Sequence, residues 1–78
     1  MSDMSTDVVV TNEQVAKDIG VTHSMVSRIR SGDRHPGYDT MKQIERAYNW
    51  TVADQLKARD EGKYAQTFEY QVRLTYVE

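Results

Sequence analysis

The sequence predicts a small, mainly helical domain of four to five helices, and three observations carry this prediction. The chain has 78 residues, the size of one domain with a modest core. Apolar residues recur at three- and four-residue steps, the spacing that places side chains on one face of a helix. Threonine, asparagine or glycine stands at the ends of these segments, where helices begin and stop. Cysteine is absent, so we expect no disulfide and no thiolate metal site.

The first ten residues are predicted to form an N-terminal arm or a short strand. Residues 1–7 are polar and show no periodicity. Val8, Val9 and Val10 favour extended backbone, because branching at Cβ restricts χ1 in a helix. Any helix before the domain at residues 11–60 is therefore predicted to be short or missing.

Residues 12–36 predict two short helices joined by a tight turn. Val15 and Ile19 begin an apolar stripe, and Gly20 follows where only glycine takes the left-handed cap at little cost. Thr22 can accept a backbone N–H and start the second helix. The stripe then resumes and ends at a second glycine, in a set that comprises Met25, Val26, Ile29 and Gly32.

The polar face of the second predicted helix carries short hydrogen-bond donors and arginine, and no acidic residue occurs from Val21 to Gly32. Such a face suits insertion beside phosphates and base edges. Arg28 is the best candidate for reading a base, because a guanidinium can hold the O6 and N7 of guanine with two hydrogen bonds. The other polar residues of the face are His23, Ser24, Ser27 and Ser31.

Two further helices are predicted before residue 60. Residues 38–49 carry apolar side chains at helical spacing, and Asn49 is a plausible left-handed cap. Trp50 is expected to pack beneath the first two helices. Thr51 can cap a fourth helix that would cover the core with Val52 and Leu56.

The C-terminal segment, residues 63–78, fits two patterns. Its strict alternation of large apolar and polar residues favours a β-strand, which is our prediction. An additional helix is the alternative, because Tyr64, Phe68 and Val72 also share one helical face. An aromatic stripe is hard to hide in so small a domain, so we expect a homodimer interface here. Its predicted residues are Phe68, Tyr70, Val72, Leu74 and Tyr76.

The run VAKDIGVTHSMVSRIRSG, followed by DRHP and YDTMKQIERAYNW, resembles the Cro/repressor-type helix-turn-helix family, also called the XRE or lambda-repressor-like family. The resemblance spans about fifty residues, and the absence of a full helix before it departs from the family pattern. Its matching features are Ala16, Gly20, Val21, Val26, Ser27, Ile29, Gly32 and Pro36.

The resemblance implies a sequence-specific, double-stranded DNA-binding transcriptional regulator, most similar to phage Cro or immunity repressors, that occludes a promoter. Its second motif helix would enter the major groove, and a two-fold dimer would match a palindromic operator. Base edges would be read by His23, Ser24, Ser27 and Arg28. Phosphates would be contacted by Thr11, Asn12, Thr22, Arg30, Ser31, Arg34 and Lys42.

Net charge and composition narrow the remaining possibilities. The formal net charge is −2, but from Gly20 to Pro36 three arginines face a single acid, Asp33. We expect a cytoplasmic protein without a membrane segment, cofactor, metal or small-molecule ligand. No residue pattern indicates an enzyme or a catalytic residue. The acidic total and the aromatic tail leave one alternative function, a protein-interaction module or antitoxin on the same scaffold.

Overall fold

The computed structural model describes residues 9–77, and in this range it contains five α-helices and no β-strand. The predicted count of four to five helices is confirmed. None of these five helices combines the length and the apolar character needed to cross a bilayer. The helices are α1 (Asn12–Ile19), α2 (His23–Ser31), α3 (Tyr38–Tyr48), α4 (Val52–Asp60) and α5 (Tyr64–Tyr76).

The segment before α1 forms neither helix nor strand in its described part. Val9 is exposed, whereas Val10 is buried in the core. Residues 1–7 of the predicted N-terminal arm and Val8 of the predicted strand lie outside the described residues. Within the described range, the chain therefore enters the first helix of the motif directly at Thr11.

Local signals set the ends of the first two helices as predicted. The hydroxyl of Thr11 accepts the Gln14 N–H at 3.1 Å, and the hydroxyl of Thr22 accepts the Met25 N–H at 3.1 Å. Gly20 is left-handed at φ 70°, and its N–H donates to the Ala16 carbonyl at 2.8 Å. The turn between α1 and α2 is thus determined by residues that lie within it.

One apolar core joins all five helices. Both motif helices contribute residues to it, and α5 packs against α2, α3 and α4. Trp50 is buried, and its ring contacts are with α5, where the Tyr64 ring centroid lies 4.9 Å away; its predicted packing beneath the first two helices stays a prediction. The fully or nearly fully buried apolar residues are Val10, Val15, Ile19, Val26, Ile29, Met41, Ile44, Tyr48, Trp50, Ala58, Tyr64, Phe68 and Val72.

The predicted C-terminal β-strand is wrong, because the segment is the helix α5. Its buried side chains are Tyr64, Phe68 and Val72, four residues apart, whereas Tyr70 between two of them is 60% exposed. The segment fits either period over so short a length, because its large side chains both alternate with polar residues and recur every four residues. Packing in the core stabilises the helix, because the helical conformation places three large side chains on one buried face.

The core contribution of α4 also differs from the prediction. Leu56 is 37% exposed, and the buried residues of α4 are Gln55 and Ala58. The Gln55 amide donates to the carbonyls of Met41 at 2.8 Å and Trp50 at 2.9 Å. The hydroxyl of Tyr64 donates to the Gln55 Oε1 at 2.8 Å. These bonds satisfy a buried polar group, so its burial is compatible with a stable core.

Asp18 of α1 connects three helices through hydrogen bonds. The hydroxyls of Tyr48 of α3 and Tyr76 of α5 both donate to Oδ2, the former at 2.8 Å. The Gln14 amide donates to Oδ1 at 3.1 Å. Burial, together with the hydrogen bond to Asp18, raises the pKa of the Tyr48 phenol well above its ordinary value of 10.0.

The free energy of unfolding is expected to fall as the pH rises above about 10. A phenol whose pKa folding raises contributes stability below its unfolded pKa and loses that contribution as the pH climbs toward the folded pKa. Denaturant unfolding from about pH 8 to about pH 11 measures this decline. Tyr48→Phe removes one such phenol and should make the decline shallower. An equally steep decline in the variant would contradict the assignment to Tyr48.

Candidate nucleic-acid interface

The exposed face of α2 holds all four predicted base-reading side chains. The helix begins after Thr22 and ends at Gly32, which is left-handed at φ 86°. Val26 and Ile29 are completely buried on the opposite side, so they fix which face is turned outward. In residues 9–77 none of the four side chains forms a hydrogen bond or ion pair. They are His23, Ser24, Ser27 and Arg28.

Two threonine caps lie where the sequence places phosphate contacts. The side chains of Thr11 and Thr22 are exposed, and each accepts a backbone N–H at the start of its helix. A hydroxyl that accepts one hydrogen bond still carries a hydrogen to donate. Both residues can therefore cap a helix and donate to a phosphate oxygen at once, with the positive end of the helix dipole behind them.

The loop after α2 adds a charged cavity beside the reading face. Its volume is about 390 Å³, and its lining includes Arg28, Asp33 and Arg34. The backbone N–H groups of Asp33 and Arg34 donate to the Arg28 carbonyl at 3.0 and 3.3 Å, which holds the loop against the helix end. This places the predicted phosphate contact Arg34 next to the predicted base contact Arg28. The sequence counts Asp33 as the single acid of this region, and its position between the two arginines was not anticipated.

Ser31 and Lys42 lie at the edges of this surface. The Ser31 hydroxyl donates to the Arg28 carbonyl at 3.0 Å, so its hydrogen serves the helix end. The Lys42 ammonium lies 5.6 Å from the ring centroid of Tyr38, within cation–π range. Both side chains are exposed, and their contact with phosphate stays a prediction.

Arg30 is placed differently from the prediction that it contacts phosphate. Its guanidinium donates to both carboxylate oxygens of Glu69, at 2.9 and 2.5 Å, to the Val10 carbonyl at 2.7 Å and to the Asn12 Oδ1 at 3.0 Å. A guanidinium has five N–H donors, so a single donor is left. We therefore correct Arg30 from a phosphate contact to an internal one. Asn12, whose Oδ1 is engaged, retains its amide N–H groups for the predicted contact.

Because Arg30 is engaged within the chain, the interface offers less positive charge than the sequence suggests. The sequence counts three arginines against Asp33 in this region. The only ion pair in the described part of the chain joins Arg30 to Glu69, so that charge is neutralised locally. Arg28 and Arg34 remain against Asp33. A weak positive field of this kind would limit indiscriminate binding to nucleic acid.

The residues of the predicted dimer interface lie on different faces of α5, some buried and some exposed. Phe68 and Val72 are completely buried within their own chain, so their assignment to an interface is wrong. Tyr70 and Leu74 are 60% and 50% exposed, and Val77, which the prediction did not include, is 50% exposed. Tyr76 is 37% exposed and donates to Asp18.

Comparison with known proteins gives one match. A family model described as helix-turn-helix matches residues 10–54, more than half of the chain. The matched range includes α1, α2 and α3 with every predicted DNA-contacting residue, and it ends within α4. No curated protein and no solved structure matches the chain significantly.

Proposed function

The chain belongs to the XRE family of helix-turn-helix DNA-binding regulators, and on that premise we propose that it is a repressor that recognises one operator and occludes a promoter. The observation that carries this proposal is the exposed, acid-free face of α2, on which His23, Ser24, Ser27 and Arg28 form no side-chain hydrogen bond or ion pair with the described part of the chain. The proposed repressor would be of the Cro-like or immunity type found in phages.

Recognition would place α2 in the major groove. His23 and Ser24 stand in the first turn of the helix, and Ser27 and Arg28 follow one turn later. The hydroxyls of Thr11 and Thr22 would fix the helix on the phosphates. Phosphate contacts set the register of a protein on the duplex, whereas base contacts supply the specificity.

Selection of bound sites from a random duplex pool tests this proposal. We expect one consensus, for which the logarithm of the affinity falls linearly with the logarithm of the salt concentration, by a slope of about 0.9 per neutralised phosphate. A scrambled duplex of equal composition is the control, and it should bind much more weakly. Failure to bind any duplex at low ionic strength would contradict the proposal.

We also propose that two copies bind the operator as a homodimer through the outer face of α5, formed by Tyr70 and Leu74, together with Val77 directly after the helix. Tyr70 and Leu74 are four residues apart, so they share one face of α5, opposite the buried one, and Val77 is the exposed C-cap residue. A two-fold dimer would present two copies of α2 to half-sites about one helical turn apart, which predicts a palindromic consensus.

Leu74→Arg is expected to convert the dimer to a monomer and to weaken operator binding without unfolding the domain. A charge in a desolvated interface lacks a partner, whereas the same charge on an exposed monomer surface is tolerated. Light scattering coupled to size exclusion measures the mass. Ala53→Arg adds the same charge to an exposed position of α4 and serves as the control. Dissociation by Ala53→Arg alone would place the interface on α4 instead.

A protein-interaction module, such as an antitoxin, is the second candidate. The exposed apolar side chains of α5 favour it, because such a face can bind a different chain instead of a second copy. The two functions differ in their dependence on Arg28. A scaffold needs neither Arg28 nor a salt-dependent affinity for duplex DNA.

A further inference from the structure

The guanidinium of Arg30 joins three parts of the chain at one point. Arg30 belongs to α2, Glu69 to α5, and Val10 and Asn12 stand on either side of the residue that caps α1. The Arg30 side chain is 18% exposed and that of Glu69 is 39% exposed. The contacts therefore lie in a partly buried setting, where charge-assisted hydrogen bonds are held with defined geometry.

The two bonds toward the N-terminal segment bracket Thr11. The Val10 carbonyl and the Asn12 side chain each accept from the same nitrogen, Nη1, at 2.7 and 3.0 Å. Thr11, between them, is the N-cap of α1 and the proposed donor to a phosphate. Arg30 thus ties the phosphate-facing end of α1 directly to the helix that would read the bases.

Glu69 holds the guanidinium in the orientation that these bonds require. Its two carboxylate oxygens accept from Nε and Nη2 in the side-on, bidentate arrangement. This leaves Nη1 pointing at the start of α1. An ammonium on a flexible stem cannot reproduce this arrangement, because it is a point charge without a planar fork.

From this geometry we infer that Arg30 is a positioning residue for DNA recognition, held by Glu69 so that the cap of α1 and the reading face of α2 meet the duplex in a fixed register. The inference rests on the proposed function. It also makes α5 part of the DNA-reading unit, although α5 lies outside the range matched by the family model. The spacing of phosphates relative to base edges is fixed in the duplex. Loosening the start of α1 should therefore remove the contact with a particular phosphate.

Single methylphosphonate substitutions, which remove the charge of one phosphate, test this inference on the selected operator. The start of α1 contacts those phosphates whose methylphosphonate substitution weakens binding of the wild-type chain but not of Thr11→Val. The same comparison with Arg34→Ala identifies the phosphates contacted by the loop. Arg30→Lys is then expected to bind about tenfold more weakly, the cost of losing one charge-assisted hydrogen bond. A methylphosphonate at a phosphate assigned to Thr11 should no longer weaken binding of this variant. A methylphosphonate at a phosphate assigned to Arg34 should weaken its binding as it does for the wild-type chain.

Glu69→Gln provides a second variant with the guanidinium intact. We expect the same phosphates to lose sensitivity, with a cooperative unfolding transition retained by both variants. The inference is overturned if Arg30→Lys and Glu69→Gln keep the full wild-type pattern of sensitive phosphates, even when overall affinity falls. A wild-type chain that binds no duplex would instead overturn the proposed function, so the two failures are distinguishable.

Discussion

Phe68→Ala is expected to lower the free energy of unfolding by about 3 to 5 kcal/mol. Phe68 is completely buried, and its ring lies against those of Tyr48, Trp50 and Tyr64, with centroids 6.1 to 6.4 Å apart. Its removal leaves a cavity where α3 and α5 meet. At roughly 0.05–0.15 kcal/mol per residue, a 78-residue domain has only about 4 to 12 kcal/mol in total.

Thermal unfolding followed by circular dichroism measures this effect. Each kcal/mol lowers the Tm of a domain of this size by about 4–8 °C, so we expect a fall of at least about 12 °C. Tyr70→Ala is the matched control when both substitutions are made in the monomeric Leu74→Arg variant, because Tyr70 lies two residues along the same helix, is 60% exposed and makes no dimer contact there. Its effect should stay within about 0.5 kcal/mol. In a strand the two residues would share a face, so equal losses at both positions would contradict the helical assignment of α5.

Arg28→Ala is expected to weaken binding to the selected operator by about five- to 150-fold, which corresponds to about 1–3 kcal/mol for one bidentate contact with guanine. The side chain is exposed in the middle of the reading face, and the described residues offer it no ion-pair partner. The variant should also lose its preference for guanine at one position of each half-site, because the remaining contacts do not distinguish the bases there.

Fluorescence anisotropy against the operator and its single-base variants checks this result. Arg59→Ala removes an equal charge from an exposed position of α4, which packs on α3 and α5 but not on α2. It should leave the operator affinity nearly unchanged. If Arg28→Ala weakens all sequences to the same extent and lowers the salt slope by about one, Arg28 contacts a phosphate and the base-reading role is wrong.

The helix ends of the motif are the part of the fold that sequence reasoning anticipated best. Thr11, Thr22 and Thr51 each accept the backbone N–H three residues ahead, as their positions predicted. Gly20 and Asn49 take the left-handed conformation expected of them. Each signal acts over three or four residues, so no distant part of the chain is needed to interpret it.

Long-range partners explain what sequence reasoning missed. Arg30 and Glu69 are separated by 39 positions, and no local pattern pairs them in advance. Gln55 is buried only because two carbonyls and the hydroxyl of Tyr64 satisfy it. A polar residue in a helix is ordinarily expected at the surface, so the neighbouring Leu56 was the natural choice for the core.

The chain's own residue order determined two capped helices, the turn between them and the face of α2 that points outward. These follow from backbone preferences and from apolar spacing within a few residues. Only the tertiary structure decided that the C-terminal segment is a helix and that Arg30 serves the fold. Both outcomes depend on which surfaces meet in the core, and the free energy of that packing outweighs the weak local preference of a segment that fits either period.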